Sequence, residues 1–161
     1  MLMRSALGHS PTGRIMPRRY RSGALRNAKV ADTDLKRIET GAQSAIKKYQ
    51  EAFEQFQPHA ALEAAWELVT AANALVEQKA PWKLAKDPAQ SDLLDSVLYT
   101  LAESVRLLAQ CMSPIIPVAS ASILGQLNVA NDIGFEWGVL KDGHQVGTPS
   151  PVFPRIEAGA N

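Results

Sequence analysis

The sequence has few of the residues that build disulfide frameworks, metal centres or β-sandwich cores. It contains 1 cysteine, Cys111, and 3 histidines, at positions 9, 59 and 144. One cysteine excludes a disulfide framework, and the scattered histidines lack the spacing of a metal site. Aromatic residues make up only 6% of the chain. Because Ala, Leu, Val and Ile dominate the apolar content, the composition favours helices over a β-sandwich.

Long apolar runs and nucleotide-binding signatures are also missing. No stretch approaches the ~18 apolar residues of a transmembrane helix, and the start MLMRSALGHS is too polar for a secretory signal. We therefore expect a cytoplasmic protein without a membrane partner. Neither a G-x-x-x-x-G-K-[ST] loop nor a G-x-G-x-x-G fingerprint occurs. The sequence predicts no catalytic residue, no metal and no cofactor in this chain, and Cys111 is predicted to fill the core.

The 161 residues suffice for one domain with tails, and charge divides them unevenly. Residues 1–29 contain 7 basic residues and no acidic one, whereas residues 30–161 contain 10 basic and 16 acidic residues. We divide the chain accordingly into a basic arm and a helical bundle with a C-terminal strap. The arm suits a polyanion such as nucleic acid. Two alternatives are a solvated tail without a partner and a mitochondrial transit segment.

Apolar residues spaced three and four positions apart predict a first helix in the bundle. Asp32 or Thr33 is predicted to cap it, and it should end near Gln57. Its predicted apolar stripe consists of Leu35, Ile38, Ala42, Ala45, Tyr49, Phe53 and Phe56.

Proline residues delimit the second predicted helix. Pro58 suits its first position, and Pro81 should stop it. Its predicted stripe consists of Leu62, Ala65, Trp66, Val69, Asn73 and Val76. On this pattern Trp66 is a core residue whose loss should reduce stability.

Two further helices and an irregular segment complete the prediction. Ser91 or Asp92 should cap the third helix, which ends before Pro114, and Pro117 should begin a shorter fourth helix. The predicted stripe of the third helix consists of Leu94, Val97, Leu98, Leu101, Val105, Leu108 and Met112. Residues 137–146 contain a Lys-Asp-Gly-His turn signal, which predicts a small hairpin or an irregular strap.

Asn73 and Trp82 do not fit a purely apolar core. Asn73 interrupts the predicted stripe, so it either ties neighbouring structure together by hydrogen bonds or contacts a ligand. Trp82 follows Pro81 at a predicted helix break. A tryptophan at such a corner either caps the core or presents a flat ring on which a nucleic-acid base can stack.

The segment from Trp66 to Lys86, WELVTAANALVEQKAPWKLAK, resembles the anticodon-binding domain of bacterial methionyl-tRNA synthetases. That family shows a Trp, then a helix with an Asn, then an Ala-Pro-Trp corner followed by a Lys. Similar segments follow in the same order: MSPIIP at 112–117, WGVL at 137–140 and PVFPRIE at 151–157. The resemblance covers residues 16–157 when 16–23 are taken as the end of the family's first helix.

The resemblance implies an all-α fold, a helical bundle of the class I synthetase anticodon-binding type. It implies tRNA binding, of methionine tRNA above all, within methionine-tRNA ligase and so in protein biosynthesis. The implied anticodon contacts are Trp82, which would stack on a base, and Arg14, which would take the place of an Arg on the family's first helix. Asn73, from its position on the stripe, is a further candidate for anticodon contact. Further basic candidates for RNA contact are Arg18, Arg19, Arg21, Lys83 and Lys86.

The segment around Arg14 departs from the family pattern. The family's first helix carries an Asn and, four residues later, an Arg, whereas here His9 precedes Arg14 by five. Pro11 and Gly13 also oppose a helix, so the arm is a degenerate form of that helix or an irregular extension.

The rest of the family's enzyme has no counterpart in this sequence. The resemblance implies a catalytic domain that uses ATP and methionine, and none of its signatures occurs in this chain. We therefore expect a separate catalytic synthetase chain as a partner. The alternative function is a helical protein-interaction module, or a gene fragment, that has lost RNA binding.

Overall fold

Three helices of 22 residues each dominate the computed structural model, which describes residues 23–131 and 134–153. They are α1 (Thr33–Glu54), α2 (Pro58–Lys79) and α4 (Ser91–Met112). The short α3 (Pro81–Leu84) and a 3-10 turn (Pro88–Gln90) connect α2 to α4, and α5 (Pro117–Gln126) follows. The predicted all-α bundle is confirmed.

The predicted helix starts are confirmed for three of the four helices. Asp32 caps α1, because its carboxylate accepts hydrogen bonds from the backbone N–H groups of Asp34 and Leu35. Pro58 and Pro117 occupy the first positions of α2 and α5. The predicted cap of the third helix is wrong. The 3-10 turn runs directly into Ser91, so Ser91 is already the first helical residue.

The end of the first helix also differs from the prediction. α1 stops at Glu54, and Phe56 adopts a φ of +57° with 93% of its surface exposed. Phe56 is therefore not a core residue, because the chain turns towards α2 before the stripe reaches it. The other predicted stripe residues of α1 are buried or half-buried.

The buried face of α2 lies beside the predicted one. It consists of Ala61, Ala64, Ala65, Leu68, Ala72 and Leu75. Alanines on this face permit close approach to α1, and the bulky Trp66 stays outside with 66% of its surface exposed. The predictions that Trp66 and Asn73 lie on the core stripe are wrong. α2 carries apolar residues on more than one face, so spacing alone did not select the buried one.

A two-stranded antiparallel sheet joins the two ends of the described chain. β1 (Ala24–Leu25) pairs with β2 (His144–Gln145), with Leu25 opposite His144. The predicted turn exists, since the backbone N–H of His144 donates to the carbonyl of Lys141 at 3.0 Å. The predicted local hairpin is wrong, because the pairing partner lies near the other end of the sequence. The irregular strap is the observed form.

Residues 23–29 of the predicted basic arm belong to this folded unit. Leu25 is 4% exposed and packs with Tyr99, Leu127 and Leu140 in a small second core. Within the described ranges, no helix has both the length and the apolarity needed to cross a membrane.

Candidate nucleic-acid interface

The corner between α2 and α3 is formed by Ala80 and Pro81. Ala80 adopts the left-handed conformation, with φ +42° and ψ 67°, so it ends α2 and starts α3. Its N–H donates to Val76 O at 3.0 Å, and its carbonyl accepts from Lys83 N at 2.7 Å. Pro81 is buried and cannot continue α2, because it lacks the N–H that the helix needs.

Trp82 lies in the first turn after this corner with 47% of its surface exposed. The covered half of the residue packs at the corner, and the other half faces solvent. The exposed part of the indole is a flat apolar surface of the kind on which an unpaired base stacks. The corner predicted from Pro81 is therefore present, and it leaves the ring accessible.

Two cations follow Trp82 on the same connection. Lys83 and Lys86 are both exposed, and the backbone N–H of Lys86 donates to the carbonyl of Lys83 at 3.0 Å in the turn that ends α3. An exposed ring followed by lysines is suited to single-stranded nucleic acid, since the ring takes a base and the amines attract phosphates.

Asn73 is half-buried on α2, nine residues before Trp82. The core-facing residues around it are Ala72 and Leu75, which are 7% and 2% exposed. Asn73 therefore lies on the flank of the buried face. An amide in this position keeps polar atoms near the surface, and its part in RNA contact stays a prediction.

The arginines that complete the predicted site, Arg14, Arg18, Arg19 and Arg21, lie outside the described residues. Their predicted part in RNA contact is therefore not tested by the structure. Cys111, predicted to be core filler, is fully buried at 0% exposure.

An ion-pair cluster that was not predicted lies directly before the corner. Lys79 Nζ is 2.6 Å from Asp32 Oδ2 and 2.8 Å from Asp34 Oδ2. Burial alone would raise the pKa of Asp32, but hydrogen bonds from Lys79 and from the backbone of α1 outweigh it and lower that pKa. Burial alone would lower the pKa of Lys79, and the two carboxylates reverse this and raise it.

The sequence contained a signal for this cluster. α1 and α2 have equal length and a short connection, so the start of α1 lies beside the end of α2. Acidic residues at one end and a lysine at the other are thereby brought together.

Known proteins similar to this chain match it over most of its length. A family described as the anticodon binding domain of methionyl tRNA ligase matches residues 27–160. The methionine–tRNA ligase of Bacillus subtilis is 34% identical over 150 residues, which cover 89% of this chain and 22% of that protein. The ligase of Nostoc sp. is 38% identical over 125 residues, covering 71% of this chain and 23% of that protein.

Solved structures agree with the sequence relatives. The methionyl-tRNA synthetase of Mycobacterium tuberculosis in complex with methionyl-adenylate is similar with a TM-score of 0.76 and 27% identity. The similarity covers 83% of this chain and 27% of the synthetase. The chain thus spans about a quarter or less of the length of these proteins.

Proposed function

The chain belongs to the family of anticodon-binding domains of methionyl-tRNA ligase, and we propose that it binds the anticodon loop of tRNA, with methionine tRNA as the ligand. The observation that carries this proposal is the half-exposed indole of Trp82 at the Ala80–Pro81 corner. In this function Trp82 stacks on one anticodon base, and Lys83 and Lys86 attract the adjacent phosphates.

Base identity requires polar groups beside the stacking ring. The amide of Asn73 offers both donors and an acceptor, and the guanidinium of Arg14 offers donors only, so each suits hydrogen bonding to the edge of an unpaired base. Arg18, Arg19 and Arg21 add sequence-independent attraction to the phosphate backbone. The role of Arg14 follows from the family pattern, and the other roles follow from side-chain chemistry and charge.

The complete aminoacylation reaction also needs a site for ATP and methionine. Within the described residues, the β-structure consists of two strands of two residues each, whereas nucleotide sites of class I type need a larger parallel sheet. ATP and methionine are accordingly assigned to a catalytic synthetase region that acts as the partner of this domain. This domain contributes recognition of the tRNA.

A second candidate function is suggested by the exposed face of α2. Trp66 lies in a shallow apolar groove with Leu62, Ala71 and Ala74, and a docked protein helix would cover such a surface. The two functions differ in their response to salt. RNA binding through several Lys and Arg side chains weakens steeply as salt rises, whereas an apolar protein contact does not.

Trp82→Ala tests the proposed function, and Trp66→Ala is its matched control. Both tryptophans are substantially exposed, so both changes should leave the fold intact. Loss of one stacked base should weaken binding of the methionine anticodon stem-loop by about 1–3 kcal/mol in Trp82→Ala. Trp66→Ala should keep wild-type affinity. Equal affinity of wild type and Trp82→Ala in a titration followed by fluorescence anisotropy of labelled RNA would contradict the proposal.

A further inference from the structure

The ammonium group of Lys79 is held by two carboxylates at the start of the neighbouring helix. The side chains of Lys79 and Asp32 are only 14% and 17% exposed, and Asp34 is 21% exposed. By contrast, the Lys48–Glu67 pair between the same two helices is 53% and 56% exposed. Water screens an ion pair less when it is partly buried, so the Lys79 cluster holds its geometry more firmly than a surface pair.

Lys79 immediately precedes Ala80, the residue whose left-handed backbone conformation sets the direction of α3 and of Trp82. A non-glycine residue in the left-handed region, such as Ala80, persists where its surroundings fix it. The backbone hydrogen bonds of Ala80 lie within the corner itself. Lys79 instead connects the corner to α1, and Gln78 supports it by donating to Asp34 Oδ2 at 3.0 Å.

The charge of the cluster argues against a direct phosphate contact by Lys79. Lys79 faces two carboxylates, and Arg37 also pairs with one of them, Asp34, at 3.7 Å. The charges of the cluster therefore balance within the protein, and the cluster does not attract a polyanion. The ammonium is held at 2.6 Å and 2.8 Å by two carboxylate oxygens of the protein itself. Lys79 can therefore affect RNA binding only through the adjoining Ala80–Pro81 corner.

We propose that Lys79 is a positioning residue for RNA binding: with Asp32 and Asp34 it fixes the Ala80 turn and so sets the direction in which Trp82 presents its ring. The inference rests on the proposed function, in which Trp82 stacks on an anticodon base. Lys79 itself does not touch the RNA. Lys79 therefore contributes to RNA affinity only by orienting the ring of Trp82.

Asp32→Asn separates positioning from simple electrostatics. Asparagine caps a helix about as well as aspartate, so α1 keeps its start. Removal of a negative charge near the corner would tighten RNA binding if electrostatics alone acted. Loss of the ion pair should instead weaken binding of the methionine anticodon stem-loop by ~3–10-fold, a part of the stacking contribution. Tighter binding by Asp32→Asn would overturn the proposal.

Lys79→Met should weaken binding by a similar factor, and Lys48→Met is the matched control. Both remove one positive charge from an ion pair between α1 and α2. Because Lys79 acts through Trp82, Lys79→Met should cause no further loss when it is combined with Trp82→Ala. An equal loss in both backgrounds would show a direct or purely electrostatic role and would overturn the proposal.

A measurement without RNA distinguishes this inference from the proposed function. The full chain labelled with 5-fluorotryptophan gives one ¹⁹F resonance for each of its 3 tryptophans. The Trp82 resonance, assigned by its absence in Trp82→Ala, should shift or broaden in Lys79→Met and Asp32→Asn, while that of Trp66 stays in place. If the Trp82 resonance shifts but Trp82→Ala keeps wild-type RNA affinity, Lys79 positions Trp82 as inferred and the proposed stacking on a base is refuted. An unchanged Trp82 resonance in both variants would overturn the inference that Lys79 positions Trp82.

Discussion

Arg106 and Glu103 form a salt bridge of 2.9 Å, one turn apart on α4, and neither side chain is exposed to solvent. Arg106 also donates to the carbonyls of Gly134 and Glu136. Glu103 accepts the backbone N–H of Leu140 at 2.6 Å. The buried pair thus supplies hydrogen bonds to a C-terminal strap that has little regular secondary structure, and it fixes the strap against the bundle.

Arg106→Met should destabilise the fold strongly. Removal of one partner leaves Glu103 as a buried charge, which costs about 3–5 kcal/mol, and two strap carbonyls lose their donor. The free energy of unfolding from urea titration measures the effect. Lys47→Met is the control, because Lys47 is 79% exposed and pairs with the exposed Glu51 at the surface. Similar small losses for both variants would show that the strap is held by other contacts.

The sequence predicted those elements whose signals are local. The carboxylate of Asp32 and the prolines at 58 and 117 act on the next few residues, so the starts of α1, α2 and α5 could be predicted. The buried Glu103–Arg106 pair could not, because its partners lie 28 to 37 residues further along the chain. Charged residues on a helix are ordinarily solvated, and nothing near them indicated burial.

The candidate site, like the fold, was predictable only where its signals are local. The Ala80–Pro81 break follows from the known effect of proline on helices, whereas the sequence left open whether Trp82 caps the core or exposes its ring. Trp66 was assigned to the core because it fits a three-and-four spacing, but the alanines of α2 form a better surface for close packing against α1. The choice between two apolar faces depends on the neighbouring helix.

Acid should remove the contribution of the Asp32–Lys79 pair. The pKa of Asp32 is lowered in the folded protein, so its stabilising effect is present above the unfolded pKa of about 3.9 and is lost as pH falls through the lower folded value. The pKa of Lys79 is raised, so its effect is complete below its ordinary value and is lost only in stronger alkali.

Urea titrations of wild type and Lys79→Met between pH 2 and pH 9 test this expectation. The difference in unfolding free energy should be constant above about pH 5 and should shrink below about pH 4. A difference that stays constant down to pH 2 would mean that the pair does not depend on the charge of Asp32.

Cys111 should be unreactive in the folded protein. It is completely buried, and burial raises the pKa of its thiol to about 12, so almost no thiolate is present at neutral pH. Its carbonyl accepts a 2.6 Å hydrogen bond from Tyr49, which lies in the main core. A chromogenic disulfide reagent at pH 8 should label Cys111 only after denaturant is added. Rapid labelling without denaturant would contradict the core assignment.

Removal of residues 1–22 should weaken RNA binding and reduce its dependence on salt. These residues carry 5 arginines and no acid. If each neutralises one phosphate, the slope of log affinity against log salt should flatten by about 3.5 for single-stranded RNA. The truncation must stop before Gly23, because β1 pairs with β2 and Leu25 is buried, so removal of residues 1–29 would also disturb the strap. Far-ultraviolet circular dichroism should confirm that α1, α2 and α4 persist. An unchanged slope with intact helices would show that the arm takes no part in binding.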